Sequence, residues 1–319
     1  MKYLPKTKVD RFPTYHGLEW DRKISDPDNP NFWKYGVANL VFLDYIREKE
    51  LVLDLGCGTG CSTFFLAEKG EAEWIIGVDL VSDMIRLAKK NAINKGLDHK
   101  ISFLICDGRH LPFKALCFEA LISGGDAFCF LVPLKNAVQE LKRVMKSKGV
   151  IALEMDNRVD WKPGTLIATS FRKMRDGKIG YIVETFTTKR NHKATSYILD
   201  PKGKIFKKVA SDPEFKEKGY KAWKYSLQKV KEETLEVRRG VLTHWSTVKE
   251  LVTLFKRSGF MEVHVIGNGL LMKLLFEGEE TIIEAMKRDP QLFFEIEKRL
   301  VSYVNPNKAA TIILKATAT

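Results

Sequence analysis

Three aspartates, each closing a short apolar run, are the residues through which this sequence can grip a ligand. Asp54 lies in Leu51-Val52-Leu53-Asp54-Leu55, a run followed at once by Gly56-Cys57-Gly58-Thr59-Gly60. Asp79 closes the run 73–78, and Asp107 closes the run 101–106. Glycine admits backbone angles and close approaches that a β-carbon forbids, so a ligand can lie directly against the turn at 56–60. The helix that follows begins at Ser62 and offers unpaired N–H groups, which suit a carboxylate or another anion. Roughly twenty positions past the glycines, Asp79 stands where a βαβ unit places a carboxylate that accepts both hydrogen bonds of a ribose diol. The alternative for Asp79 is the plain end of a surface strand.

Two further groups can move a proton. Asp126 follows the apolar stretch 118–123 and Gly124-Gly125, where a carboxylate can orient an amine or take its proton. The alternative is a carboxylate that caps the next turn. His244, in Thr243-His244-Trp245, is either a base or a structural hydrogen-bonder.

These residues need elements to hold them. Short apolar runs read as buried parallel strands at 51–55, 73–79, 101–106, 118–128 and 150–155. Amphipathic helices alternate with them: 31–49 before the first, 62–69 stopped by Gly70, 82–92 with Met84, Ile85, Leu87, Ala88 and Ala92 inward, and 133–148 opened by Pro133. The fifth strand delivers Asp156-Asn157-Arg158. Residues 179–188 and 194–199 alternate as antiparallel strands, Asp200-Pro201-Lys202-Gly203 reads as a hairpin turn before a strand at 204–209, and 235–239 adds another. Thr247-Val248-Lys249-Glu250 is a capping box opening a helix that Gly259 stops. Strands at 260–266 and 310–316, the last antiparallel, flank a helical excursion over 279–303. Residues 1–30, punctuated by four prolines, read as an irregular arm whose aromatics pack over something.

The spacing G-x-G-x-G departs from the dinucleotide pattern G-x-G-x-x-G, because position 61 is Cys61. D-L-G-C-G-T-G after a strand, with Asp79 and the Asp107-Gly108-Arg109-His110-Leu111-Pro112-Phe113 turn, instead resembles motifs I to III of class I S-adenosylmethionine-dependent methyltransferases. That resemblance covers residues 31–156 and 244–319. It implies an α/β, Rossmann-like seven-stranded class I methyltransferase sheet, with an antiparallel β-rich cap inserted at 157–243 and an arm or lid at 1–30. By the same resemblance the cofactor is S-adenosyl-L-methionine. Gly56, Cys57, Gly58 and Gly60 would pass its methionine part, and Asp54 would help hold the amino group. Asp79 would bind the ribose, Leu80 pack on the adenine, and Asp107 with Gly108 read the base; Ser123 completes the expected contacts. Tyr15, Tyr35 and Arg158 are expected on the acceptor, with Trp33 a further lid residue unless it packs on the sheet. The branch resembled methylates small molecules and quinones, and the cap is similar to that of glycine N-methyltransferase-like enzymes. The expected reaction is methyl transfer to a small-molecule acceptor, at nitrogen. The competing readings are an enzyme acting on RNA or protein through the basic cap, a metal-assisted O-methyltransferase with Asp126, Asp156 and Asn157 as magnesium ligands, and a non-enzymatic nucleoside-binding fold.

Composition suits a soluble globular protein: 45% of residues are hydrophobic and no apolar run approaches the roughly 18 residues of a membrane span. Five cysteines without paired spacing and an N-terminus lacking an apolar signal region predict a reducing, cytoplasmic setting, and no metal-ligand cluster stands out. The net charge of +13, densest between Lys202 and Arg239, allows an anionic partner such as nucleic acid without favouring one over a lysine- and glutamate-rich solvated surface. The sequence leaves the acceptor, the receiving atom and the oligomeric state open.

Overall fold

The computed structural model describes residues 17–70, 72–157, 166–174, 176–186 and 191–319. They fall into two compact units, one containing residues 158–245 and the other residues 17–157 and 246–319.

The larger unit is built on a seven-stranded sheet. In chain order its strands are β1 (Leu51–Leu55), β2 (Trp74–Asp79), β3 (Ile101–Ile105), β4 (Phe118–Ser123), β5 (Met145–Asp156), β11 (Phe260–Asn268) and β12 (Thr311–Ala318). Their order across the sheet is β3-β2-β1-β4-β5-β12-β11. The first five run parallel, and β12 runs antiparallel to both neighbours, as its position after the helical excursion predicts. The crossover helices are α3 (Cys61–Lys69), α4 (Ser82–Asn94), α5 (Leu134–Val144) and α9 (Val248–Arg257). The Thr247 capping box forms, with side chain and Glu250 carboxylate each accepting from the other's backbone N–H.

Strand order reverses between β2-β1 and β4-β5, so the crevice at the carboxyl ends of β1 and β4 is the fold's natural ligand site. Helix α2 (Pro30–Ile46) lies at this end of the sheet and is apolar on more than one side because it is covered on more than one side. Ala38, Val41, Phe42 and Ile46 join the sheet core. Trp33, Val37 and Leu40 pack with Leu271, Met286, Phe294 and Val301, which belong to α10 (Leu270–Glu277), α11 (Glu280–Arg288), α12 (Pro290–Leu300) and the turn after them. Trp33 is therefore a core residue, its indole N–H donating to the Pro27 carbonyl at 2.8 Å. The arm is not wholly irregular: α1 (Gly17–Ser25) occupies the stretch between Pro13 and Pro27, where no proline interrupts helical hydrogen bonding.

The smaller unit is an antiparallel sheet of order β10-β8-β7-β6-β9, formed by β6 (Leu166–Lys173), β7 (Ile179–Phe186), β8 (Asn191–Leu199), β9 (Tyr220–Lys221) and β10 (Thr234–His244). The strand expected at 204–209 is a helix, α6 (Lys204–Ser211). Lys-Ile-Phe-Lys-Lys-Val does not alternate as a strand would; Ile205 and Val209 are four apart, and it is this pair that is buried. Together with Phe215 of α7 (Pro213–Lys218) and Val230 of α8 (Leu227–Glu232) they cover Phe171, Tyr181, Val183 and Leu199.

Candidate active site

The turn after β1 is shaped by backbone that only glycine adopts without strain. Gly56, Gly58 and Gly60 have φ of 71°, 55° and 99°. A β-carbon on Gly56 would stand 2.1 Å from that of Ala127. The turn is pinned to β2: the Gly56 and Cys57 N–H groups donate to the Val78 carbonyl at 2.7 and 3.0 Å. Cys57 is buried in it, and burial pushes its thiol up. Gly60 then starts α3 with no side-chain cap, and the buried Thr59 hydroxyl has no hydrogen-bond partner. A glycine cradle, an uncapped helix start and an orphaned hydroxyl fit the carboxylate end of an amino-acid-bearing ligand.

Asp54 lies beneath that turn, almost wholly buried, accepting from the Thr63 hydroxyl at 2.6 Å. Burial pushes its carboxyl up to about 7, against the pull of Thr63. A folded-state value above the ordinary 3.8 means that its contribution to stability is present in acid and lost as pH rises through 7. Asp54→Asn is therefore expected to gain stability relative to the parent as pH goes from about 5 to about 8, because only the parent must ionise a buried group. Urea midpoints of both proteins at the two pH values measure this, and an equal difference at each would show that Asp54 stays ionised.

Asp79 closes β2 half-buried, with Oδ2 accepting from the Gly58 N–H at 3.0 Å and Oδ1 from the Val81 N–H at 2.8 Å. Burial raises its carboxyl, and the N–H groups of Val81, Gly58 and Leu80 oppose the rise. The ribose candidate is thus held rigidly against the glycine turn, with half-exposed Leu80 beside it. Asp107 is engaged differently from expectation. Burial would raise it, but Arg109 clamps both its oxygens through Nε and Nη2 at 2.6 to 3.2 Å and holds it below the usual carboxylate range. Gly108 packs so closely that a β-carbon there would meet Leu55 at 2.7 Å.

Ser123 corrects the expected list of contacts. It is fully buried and donates its hydroxyl to the Leu55 carbonyl at 2.7 Å, tying the end of β4 to the end of β1 rather than facing a ligand. Tyr35 is buried as well, its hydroxyl filling the space where a Gly125 side chain would stand. Burial pushes that phenol well above its ordinary value. Trp20 of α1 meets Tyr35 edge-on at 6.1 Å between centroids, and its indole nitrogen lies 3.4 Å from the position of a Gly58 β-carbon. Tyr15 and Arg158 lie outside the described residues. His244 is in the smaller unit, its Nδ1 3.1 Å from the Asn191 side-chain oxygen.

Asp126 sits in the left-handed region at φ 64° and belongs to a cluster that the sequence did not announce. Lys34 of α2, 4% exposed, places Nζ 2.9 Å from Asp126, 3.0 Å from Asp156 and 3.3 Å from Glu154. Glu154 also accepts the Gly125 N–H at 2.7 Å, and Asp126 accepts the Asp156 N–H. Burial works to lower the Lys34 ammonium, but Asp126, Asp156 and Glu154 outweigh it and raise it well above its ordinary value. Burial, with neighbouring carboxylates, pushes Asp126 and Glu154 up. Lys34 and Glu154 are sealed inside, whereas Asp126 and Asp156 are 22% and 29% exposed at the strand ends. The competing reading named Asp126, Asp156 and Asn157 as magnesium ligands. The Asn157 amide donates to the Pro306 and Ala309 carbonyls at 2.7 and 3.0 Å, and an ammonium lies between the two aspartates.

Two signals for the cluster were present in the sequence. Lys34 falls in register with Val37, Ala38 and Val41 on an apolar face, and Glu154 interrupts a central strand. A charge in either place requires a buried partner.

Residues 52–149 match the family model described as a methyltransferase domain. This stretch holds the glycine turn, Asp79 and Asp126 within a sheet of the order given above. Residues 52–149 thus carry a methyltransferase domain. The chain is 30% identical over 135 residues to an uncharacterised protein of Methanocaldococcus jannaschii, covering 41% of this chain and 47% of that one. It is 29% identical over 136 residues to erythromycin 3''-O-methyltransferase of Saccharopolyspora erythraea, covering 39% and 44%. The chain thus spans about half the length of these curated relatives. Among solved structures, phosphoethanolamine N-methyltransferase 2 of Haemonchus contortus, in complex with S-adenosyl-L-methionine, shares the fold with a TM-score of 0.53 at 14% identity. The match covers 95% of this chain and 56% of that one. No helix of the described residues is long and apolar enough to cross a membrane.

Proposed function

We propose that the chain transfers a methyl group from S-adenosylmethionine to a small-molecule acceptor, and that the receiving atom is nitrogen. The observation that carries the nitrogen reading is the pair Asp126 and Asp156, two part-exposed carboxylates at the β4 and β5 ends beside the glycine turn. With three carboxylates around one ammonium, the cluster keeps surplus negative charge, which attracts an amine rather than an alcohol.

In this reading Gly56, Gly58, Gly60 and the start of α3 receive the donor's amino-acid end, and Asp79 its ribose. The donor supplies an electrophilic methyl on a positive sulfur. Asp126 and Asp156 orient the acceptor nitrogen in line with it, so that the new C–N bond forms as the C–S bond breaks. The nitrogen proton then passes to Asp126, whose carboxyl burial holds above the usual carboxylate range. The erythromycin relative is an O-methyltransferase, so the deciding comparison is between nitrogen and oxygen acceptors.

The test offers tritiated donor to amine-bearing and hydroxyl-bearing fractions of a cell extract. Label is expected in amines. Asp126→Asn is expected to lower turnover about 100-fold, the lower end for a lost acid–base group, with donor affinity nearly unchanged. Label confined to hydroxyl compounds, or unchanged kinetics in Asp126→Asn, would overturn the nitrogen reading and the role of Asp126 respectively.

A further inference from the structure

The positive charge of the chain is concentrated in one unit. Residues 158–245 carry 21 Lys and Arg against 10 Asp and Glu, whereas residues 17–157 and 246–319 together carry 28 against 29. Much of the smaller unit's acid is already engaged. Asp212 and Glu214 pair with Lys221 at 2.6 and 3.3 Å, and Asp176 and Glu236 with Arg238 at 2.6 and 2.9 Å. Glu233 accepts the Ile205 N–H at 2.8 Å at the start of α6, and Asp200 the Lys202 N–H at 2.9 Å. Within 200–239 that leaves Asp200, Glu217, Glu232 and Glu233 without a cation partner among the described residues. Against them stand Lys204, Lys207, Lys208, Lys224, Lys229 and Lys231, all exposed and none in an ion pair among the described residues.

Three of these lysines are placed as a face. Lys204, Lys207 and Lys208 are three and four residues apart on α6, turned away from the buried Ile205 and Val209. The face continues onto the 221–225 segment. Lys208 Nζ stands 4.7 Å from the centre of the Trp223 ring and 6.0 Å from that of Tyr225, and Lys221 Nζ stands 5.2 Å from Trp223 on the same segment. Aromatic support holds the ammonium groups in place before any partner arrives, which lowers the ordering cost of binding. A helix that lies in a lipid surface pairs its basic face with exposed large apolar groups. On α6 the apolar groups Ile205 and Val209 are buried beneath the lysines instead, and Phe206 is half-buried.

We propose that this face of the smaller unit binds the phosphate backbone of a nucleic acid strand. The inference is independent of the acceptor proposed above, since it uses residues of the smaller unit alone. A cluster of exposed ammonium groups with few competing acids matches a chain of phosphates, and binding driven by counterion release needs no base reading.

The test measures anisotropy of a short fluorescein-labelled single-stranded RNA against the full chain over a range of salt, with single-stranded DNA and a duplex as further arms. Each phosphate contact with a single strand contributes about 0.7 to the log–log salt slope, so Lys204→Gln/Lys207→Gln/Lys208→Gln should lower the slope by about 2 and the affinity at about 0.1 M salt by about 100-fold. The control Lys89→Gln/Lys90→Gln/Lys135→Gln removes the same charge from exposed positions of the larger unit and should change neither. Melting curves confirm that both variants fold. Equal loss in the two variants would mean that net charge alone acts, and would overturn the proposal. Undiminished binding by the α6 variant would overturn it too, as would attachment to anionic phospholipid vesicles without attachment to any of the oligonucleotides.

Discussion

Asp79→Ala should lose at least about 100-fold in affinity for S-adenosylmethionine while remaining folded. A diol bound to a carboxylate makes two charge-assisted hydrogen bonds of about 1.5–3 kcal/mol each. Losing about 3 kcal/mol weakens binding about 100-fold. The geometry adds a second cost. Asp79 also fixes the glycine turn by accepting the Gly58 N–H, so its removal loosens the cradle that receives the other end of the donor. The cost to folding is smaller, because Asp79 is only half-buried and water can replace it at Gly58 and Val81. Asp79→Asn keeps one acceptor oxygen and should fall between parent and alanine variant. Calorimetry with the donor and with its demethylated product, alongside a melting curve, separates the two effects. An alanine variant that folds and binds as the parent does would remove Asp79 from the site and with it the placement of the donor across β1 and β2.

The difference between what this sequence disclosed and what it concealed has a physical cause. The parallel strands were legible because each is a short apolar run ending in a residue that apolar burial does not explain: Asp54, Asp79, Asp107. The glycine turn was legible because its spacing meets a backbone requirement, and φ at Gly56, Gly58 and Gly60 confirms that requirement. What stayed hidden depends on partners distant in sequence. Ser123 looked like a ligand contact at a strand end, but its hydroxyl is taken by Leu55, 68 residues earlier. The strand expected at 204–209 fails because the six residues do not alternate, whereas Ile205 and Val209 are spaced for one helix face and pack on Phe171 and Tyr181. The Lys34 cluster unites groups separated by 92 to 122 positions, so the charges at Lys34 and Glu154 signal that buried partners exist, but local spacing does not say which they are.

That cluster yields the largest expected effect on folding. Lys34→Met should destabilise the chain by about 3–5 kcal/mol at neutral pH, the range for removing one member of a buried charged group. Methionine matches the length of the lysine stem, so packing is nearly conserved and the loss is electrostatic. Without the ammonium, Asp126, Asp156 and Glu154 face one another in a site where burial already pushes Asp126 and Glu154 above the usual carboxylate range. The pH dependence follows from the sign of those shifts. Lys34 is raised above its ordinary 10.5, so in the parent it stays charged and its contribution is present throughout the neutral range. In the variant the carboxyls rise further. A raised carboxyl supports the folded state below its ordinary value and loses that support as pH climbs through the folded one. The deficit should accordingly be small near pH 5, where protons stand in for the ammonium, and widen toward pH 8. Adding Glu154→Gln removes one of the opposed charges while keeping an acceptor for the Gly125 N–H, and should recover part of the loss. Urea midpoints of the single and double variants across that range decide the matter. A deficit that is flat with pH and untouched by Glu154→Gln would mean that Lys34 acts through the fit of its stem under the Gly124-Gly125-Asp126 turn, and that the orientation of Asp126 does not depend on it.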